Sequence, residues 1–286
     1  MDEESPVSTF LKKLLAFLEN AGYDPVKGSP ADDEIRLFPR PESIRTAFSQ
    51  AAQMLIAATD YLEALDTLVR MERFAVAPWS CARGVMESAT VCTWLLEPGI
   101  GPKERVSRSL SLRYATLRAQ EKMARYDNDN KKIQDIRERL ETIEKTAIDL
   151  GFEILRDRNN KRTGIGQIKP SMTTLMEKQF KCENLYRTFS GMAHSDYSSL
   201  TAFSFMMVDV KGSKGALLLR AVPTTIQSAI IKLAVTLYAK CVWLQIVQFG
   251  FDAARIAILL EELYNKLELA DTNTERFWRM LIQRSS

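Results

Sequence analysis

The chain has 286 residues, 46% of them hydrophobic, and a formal charge of only +3. It therefore has apolar material for a full-sized core and lacks the charge excess of a disordered or strongly basic tail. Cys81, Cys92, Cys182 and Cys241 show no C-x-x-C spacing, and a single histidine serves the whole chain, which argues against a zinc site, another metal centre or a disulfide framework.

The start, Met1-Asp2-Glu3-Glu4, is acidic and unlike a secretory or transit leader. Ser8 to Leu18 then places Phe10, Leu11, Leu14, Leu15 and Leu18 on one face, which predicts an amphipathic helix over 8–21. Residues 22–41 hold two glycines, four prolines and no apolar period, and read as a connector. The expected organisation is an N-terminal helical arm and connector over 1–41 and a helical body over 42–286.

In the body, 42–75 runs without Gly or Pro and carries apolar residues at helical spacing, so it predicts one long helix. Pro78 opens a second helix, 79–96, which Glu97-Pro98-Gly99 closes. This second helix is nearly all apolar or small, and Arg83 and Glu87 are its only charged residues, four apart on one face. They read either as an internal ion pair at a helix contact or as the border of a polar pocket.

Residues 103–125 carry seven Lys or Arg against Glu104 and Glu121. Arg105, Arg108, Arg118, Lys122 and Arg125 recur at helical steps and form a stripe. The stripe is either a solvated helix face or a track for a phosphate backbone. Asp127-Asn128-Asp129-Asn130 marks a turn into a further helix, 131–156, and 157–170 reads as a basic loop.

Ser171 caps a helix running toward Tyr186 and the lone His194, with Gly191 marking a close neighbour, a kink or a helix end. Residues 201–210 and 216–222 are rich in Phe, Val and Leu around a Gly-containing turn, which predicts a single β-hairpin. Pro223 opens a long apolar helix to Gly250, 251–269 makes another, and a short helix follows from Thr272 or Thr274 to Arg284. Lys232, Lys240, Gln245 and Gln248 interrupt the most apolar stretch, 229–251, so it reads as a core helix rather than a membrane span. The expected fold is predominantly all-α, a helical bundle with one short hairpin near 201–222, in a cytoplasmic protein without cofactor.

His194 is the natural candidate for acid–base work near neutral pH. Arg187 precedes it by seven positions, about two helical turns, which puts a fixed cation on the same helix face as a titratable base. Ser190, four residues before His194, and Asp196 and Tyr197 just after it are candidates to orient the imidazole.

Arg187 and His194 satisfy an R-x4–6-H motif, and here the chain resembles the HEPN superfamily of all-helical proteins, many of them metal-independent ribonucleases. The resemblance covers roughly residues 42–250. It implies an endoribonuclease in which the 2′-hydroxyl attacks the adjacent phosphorus, His194 handles protons, and Arg187 holds charge on the phosphate. It also implies a homodimer with two Arg/His pairs lining one cleft, support of that pair by Glu87 and Arg83, a toxin or anti-phage role, and a neutralising or activating partner. The residue after the motif arginine is Thr188, where HEPN nucleases commonly carry Asn, Asp or His. The alternative is a non-catalytic HEPN-like adaptor that binds RNA or a partner protein.

Overall fold

The computed structural model describes residues 4–22, 24–71, 74–209, 216–220 and 224–268, with backbone alone at 203, 205–209, 216–220 and 224. The last expected helix, 272–284, lies outside the described residues.

Two antiparallel helices form the centre, α3 (Pro41–Arg70) and α4 (Ala77–Leu95). Proline in the first turn of each supplies a preset φ where no backbone donor is needed. Helix α4 is buried nearly all round because it packs against α3 on one side and α7 (Met172–Phe180), α8 (Glu183–Ala193) and α10 (Thr224–Phe249) on the others. Helix α10 (Thr224–Phe249) is long and apolar enough to cross a membrane by composition, yet 67% of its most apolar window is buried inside the protein. Its hydrophobicity is accounted for by packing on α3 and α4, where the Tyr238 hydroxyl meets Thr59 Oγ1 at 2.8 Å.

The two helices within residues 4–41 belong to the same core. Helix α1 (Pro6–Ala21), capped by Ser5, buries Val7, Phe10, Leu11, Leu14 and Phe17, and Phe10 meets Tyr238 edge to face at 6.4 Å. The expected connector contains a further helix, α2 (Pro30–Leu37), capped by Ser29 and buried through Ala31 and Ile35. Two buried residues in eight are too few for a visible period, so tertiary contacts with α3, α5 (Gly101–Tyr126) and α10 decide this helix.

Helices α5 (Gly101–Tyr126) and α6 (Asn130–Asp149) form the expected helical hairpin. Helix α6 stops earlier than expected, because Gly151 with φ 72° turns the chain into β1 (Ile154–Arg156). That strand pairs antiparallel with β2 (Arg162–Ile165), so the stretch read as a loop is a second hairpin. Its turn is fixed by Asp157, whose carboxylate accepts from the amides of Asn159 and Lys161, both at 2.9 Å.

The helix expected to run unbroken from Ser171 to His194 is two helices, α7 (Met172–Phe180) and α8 (Glu183–Ala193). Lys181 at φ 56° breaks them, taking a left-handed conformation that propensity alone does not foresee in lysine. A short α9 (Tyr197–Phe203) follows, then the expected hairpin of β3 (Phe205–Asp209) and β4 (Ala216–Arg220), and after α10 the amphipathic α11 (Ala253–Lys266). The chain is a predominantly all-α helical bundle carrying two small hairpins among the described residues.

Candidate functional site

Helix α8 presents Tyr186, Phe189 and Met192 to α4, three residues apart on one stripe. Phe189 meets Trp79 at 5.0 Å with rings inclined by 67°, which fixes the rotation of α8 about its axis. The helix ends where the sequence placed glycine. A Cβ on Gly191 would collide with Ser199 Oγ, so glycine lets α9 fold back onto α8. His194 occupies the C-terminal cap, Ser195 turns at φ 57°, and the Asp196 amide donates back to the Gly191 carbonyl at 2.9 Å.

This geometry leaves the His194 ring exposed at the end of α8, directed at α4. Its Nε2 lies 2.9 Å from Arg83 Nη1. Arg83 in turn donates from Nε to Glu87 Oε1 at 2.8 Å, and the same carboxylate oxygen accepts the Tyr186 hydroxyl at 2.9 Å. The guanidinium also stands 5.9 Å from the centre of the Tyr186 ring. Four side chains from α4 and the end of α8 thus make one connected chain, from the Tyr186 hydroxyl through Glu87 and Arg83 to the exposed imidazole.

The electrostatics follow from the packing. Partial burial works against the Arg83 charge, but the Glu87 carboxylate outweighs it and the guanidinium pKa rises. Burial and the bond to Glu87 push the Tyr186 phenol above its ordinary value, so it stays a donor through the physiological range. A guanidinium only donates, so this contact is a hydrogen bond where His194 Nε2 carries a lone pair.

Arg187, the expected partner of His194, is turned away. Its guanidinium reaches back one turn to Glu183 Oε1, with Nη2 at 2.7 Å and Nε at 3.0 Å, and it remains exposed. Long side chains on a helix lean toward its N-terminus, and the acidic residue four positions earlier captures this one. Within one chain the cation beside the histidine is Arg83. The expected orienting groups are also engaged elsewhere or free. Asp196 caps α9, accepting from Ser198 Oγ at 2.5 Å, Ser199 Oγ at 2.9 Å and Ser199 N at 3.0 Å, which holds its pKa below the usual value. Ser190 contributes its backbone carbonyl to the helix end, and Tyr197 is 74% exposed.

The basic stripe divides in two. Arg105 is 1% exposed, forks onto Glu34 at 2.7 and 3.0 Å, and lies over the Phe48 ring at 5.3 Å. Arg108 pairs with Glu104 and Glu97 and donates to the Trp94 carbonyl at 2.6 Å. These two arginines satisfy the C-terminal carbonyls of α4 and bind α5 to its neighbours, so they are spent on the fold and do not face a phosphate track. Arg118, Lys122 and Arg125 do face solvent, and there they meet Lys161 and Arg162 from the β1–β2 hairpin in a concavity of about 540 Å³. Sequence reading missed that meeting because it joins residues some 40 positions apart through a turn that carried no periodic signal.

The four cysteines are free thiols, three of them buried, and burial pushes Cys182 up to about 11. Among the described residues no three His, Cys, Asp or Glu side chains converge as a metal site. No family model, no curated protein and no solved structure matches the chain, so the resemblance to the HEPN superfamily rests on Arg187, His194 and their helical setting alone.

Proposed function

We propose that the protein is a metal-independent endoribonuclease in which His194 moves the proton and Arg83 holds the phosphate charge. The observation that carries this reading is the 2.9 Å contact between Arg83 Nη1 and His194 Nε2 at an exposed helix end. It unites an always-charged, phosphate-complementary group with the chain's sole imidazole. Glu87 and Tyr186 act as positioning residues that hold the guanidinium.

The chemistry requires a 2′-hydroxyl to lose its proton while its oxygen bonds to phosphorus, the phosphorus bond to the 5′-oxygen to break, and that oxygen to take a proton. The products are a 2′,3′-cyclic phosphate and a 5′-hydroxyl. In the free protein Arg83 engages the Nε2 lone pair of His194, so the ring accepts no proton until that contact opens. A substrate phosphate that draws Arg83 toward itself releases Nε2 to take the 2′-hydroxyl proton, and the imidazolium so formed gives that proton to the departing 5′-oxygen. General acid–base catalysis of this kind contributes about 10²–10⁴-fold.

A homodimer completes the site in this reading. Arg187 is exposed and faces away from its own His194, so it is available to a second copy. Leu185 and Tyr197, 47% and 74% exposed on α8 and α9, supply apolar surface for that contact. A cytoplasmic toxin or anti-phage effector, held by a neutralising or activating partner, is the biological setting this chemistry fits.

The test is cleavage of mixed RNA in EDTA by the wild type and by Arg83→Ala, Arg187→Ala and His194→Ala, with end-group analysis. Cyclic phosphates from the wild type and loss in all three variants are expected. Mixing Arg187→Ala with His194→Ala protein should restore part of the activity, since a mixed dimer keeps one intact site. RNA left whole by the wild type, or cut equally by His194→Ala, would sink the proposal. A second reading, a non-catalytic adaptor that binds RNA, is favoured by the solvent-facing cations Arg118, Lys122 and Arg125. It predicts RNA binding that His194→Ala leaves unchanged.

A further inference from the structure

The concavity between α5 and the β1–β2 hairpin is lined mainly by cations. Five cationic side chains line it, Arg118, Lys122, Arg125, Lys161 and Arg162, against one carboxylate, Glu121. Counting Glu121 and the Glu144 carboxylate that holds Arg162, the five cations leave a surplus of three positive charges in one pit. So concentrated a surplus raises the local potential and calls for an anion.

The pit is also built rather than accidental. Glu121 is 3% exposed and sits beneath the cations, where Arg118, Arg125 at 2.6 Å and Arg137 at 3.5 Å share its two oxygens. Burial resists its charge, and the three guanidiniums overcome that resistance and hold its pKa below the ordinary value. One buried carboxylate thus fixes three planar guanidiniums, each of which has five N–H donors and spends only part of them on Glu121. On the other wall Arg162 is held by Glu144 at 2.7 Å. Lys122 and Lys161 are exposed and form no ion pair among the described residues.

Size and lining select the ligand. A volume of about 540 Å³ takes one small molecule or one chain end. The only ring that lines it, Tyr114, is 3% exposed and presents no face for a base to stack on. We propose that this pit binds a compact polyphosphate group without reading the base attached to it. That group is carried either by a free nucleotide or by the 5′-triphosphate end of an RNA. The inference stands independently of the chemistry assigned to His194.

The experiment is titration calorimetry of the full chain with inorganic tripolyphosphate at 50 and 300 mM salt, using the wild type, Lys122→Glu/Lys161→Glu and, as a charge control, Lys27→Glu. Both target lysines are exposed and unpaired, so the double variant keeps its melting temperature. Wild-type binding that weakens steeply with salt, drops at least tenfold in the double variant and is unchanged in Lys27→Glu is expected. Absence of wild-type binding at millimolar ligand, or equal loss in Lys27→Glu, overturns the proposal. A second arm compares ATP, UTP and one RNA bearing a 5′-triphosphate or a 5′-hydroxyl. Equal affinity for ATP and UTP is expected, and tighter binding of the triphosphate RNA identifies the RNA end as the source. If the 5′-hydroxyl RNA binds as tightly and displaces tripolyphosphate, the pit follows a phosphodiester backbone and the polyphosphate assignment fails.

Discussion

Arg83 Nη1 donates to His194 Nε2 across 2.9 Å, joining two residues 111 positions apart and bringing α4 to the end of α8. Because Arg83 has no acceptor, this bond exists only when Nε2 carries a lone pair. The neutral ring of His194 in the wild type should therefore show the Nδ1–H tautomer in nitrogen-15 correlation spectra. Arg83→Ala should release it toward the Nε2–H form that free imidazole side chains favour. A wild-type ring already in the Nε2–H form would remove the bond and the cluster with it.

Tyr186 is held as a neutral donor by burial and by the Glu87 carboxylate. Replacing Glu87 by Gln removes the charge that opposes phenolate formation, so the phenol should titrate at lower pH in Glu87→Gln than in the wild type. Difference absorbance at alkaline pH, with Tyr186→Phe to assign the signal, measures it directly. No change in the midpoint would mean that Glu87 does not govern this tyrosine.

Tyr114, Tyr186 and Tyr238 all have phenol pKa values raised by burial. A group with a raised folded pKa stabilises the fold fully below its unfolded value, and that contribution is lost as pH climbs through the folded one. The melting temperature should therefore fall above about pH 10, where unfolded tyrosines begin to ionise. Tyr238→Phe, which also loses the bond to Thr59, should flatten part of that fall while lowering stability at neutral pH. A melting temperature that is level from pH 9 to 12 would contradict this account.

Arg105 and Arg118 lie on the same helix and the same sequence stripe, yet one is 1% exposed and the other's side chain is 36% exposed. Arg105→Ala leaves Glu34 facing an empty buried site, and losing one partner of a buried pair costs about 3–5 kcal/mol. Arg118→Ala leaves Glu121 its bonds to Arg125 and Arg137 and should cost under about 1 kcal/mol. Urea denaturation of the two variants decides the matter, and equal losses would erase the distinction between structural and solvent-facing arginines.

Gly191→Ala separates helix propensity from packing. In an isolated helix the change gains about 1 kcal/mol, whereas here the new methyl meets Ser199 Oγ, and overpacking of this kind costs about 1–3 kcal/mol. The variant should be less stable than the wild type, and adding Ser199→Ala should recover part of the loss. A stabilised Gly191→Ala would show that α9 yields freely.

The long helices α1, α3, α4, α5, α6 and α10 were legible in the sequence, because apolar spacing or unbroken apolar composition, first-turn prolines and terminal glycines are local signals that the fold obeys. The small elements were not. Helix α2 buries only Ala31 and Ile35, and the β1–β2 hairpin depends on one Asx turn, so each is stabilised mainly by what it packs against. The break at Lys181 is a left-handed residue with no propensity to announce it.

The candidate site divides along the same line. Its members His194, Arg83 and Glu87 stood out in the sequence for being charged or titratable where neighbours were apolar or where no second histidine existed. Which cation meets the imidazole was decided only in three dimensions. Helical spacing aligns Arg187 with His194, but a side chain goes where its nearest opposite charge is, and Glu183 lies one turn behind Arg187 while Glu87 holds Arg83 at the end of α8. Spacing fixes the face from which a side chain leaves the backbone; packing between helices and the placement of counter-charges fix where its far end comes to rest.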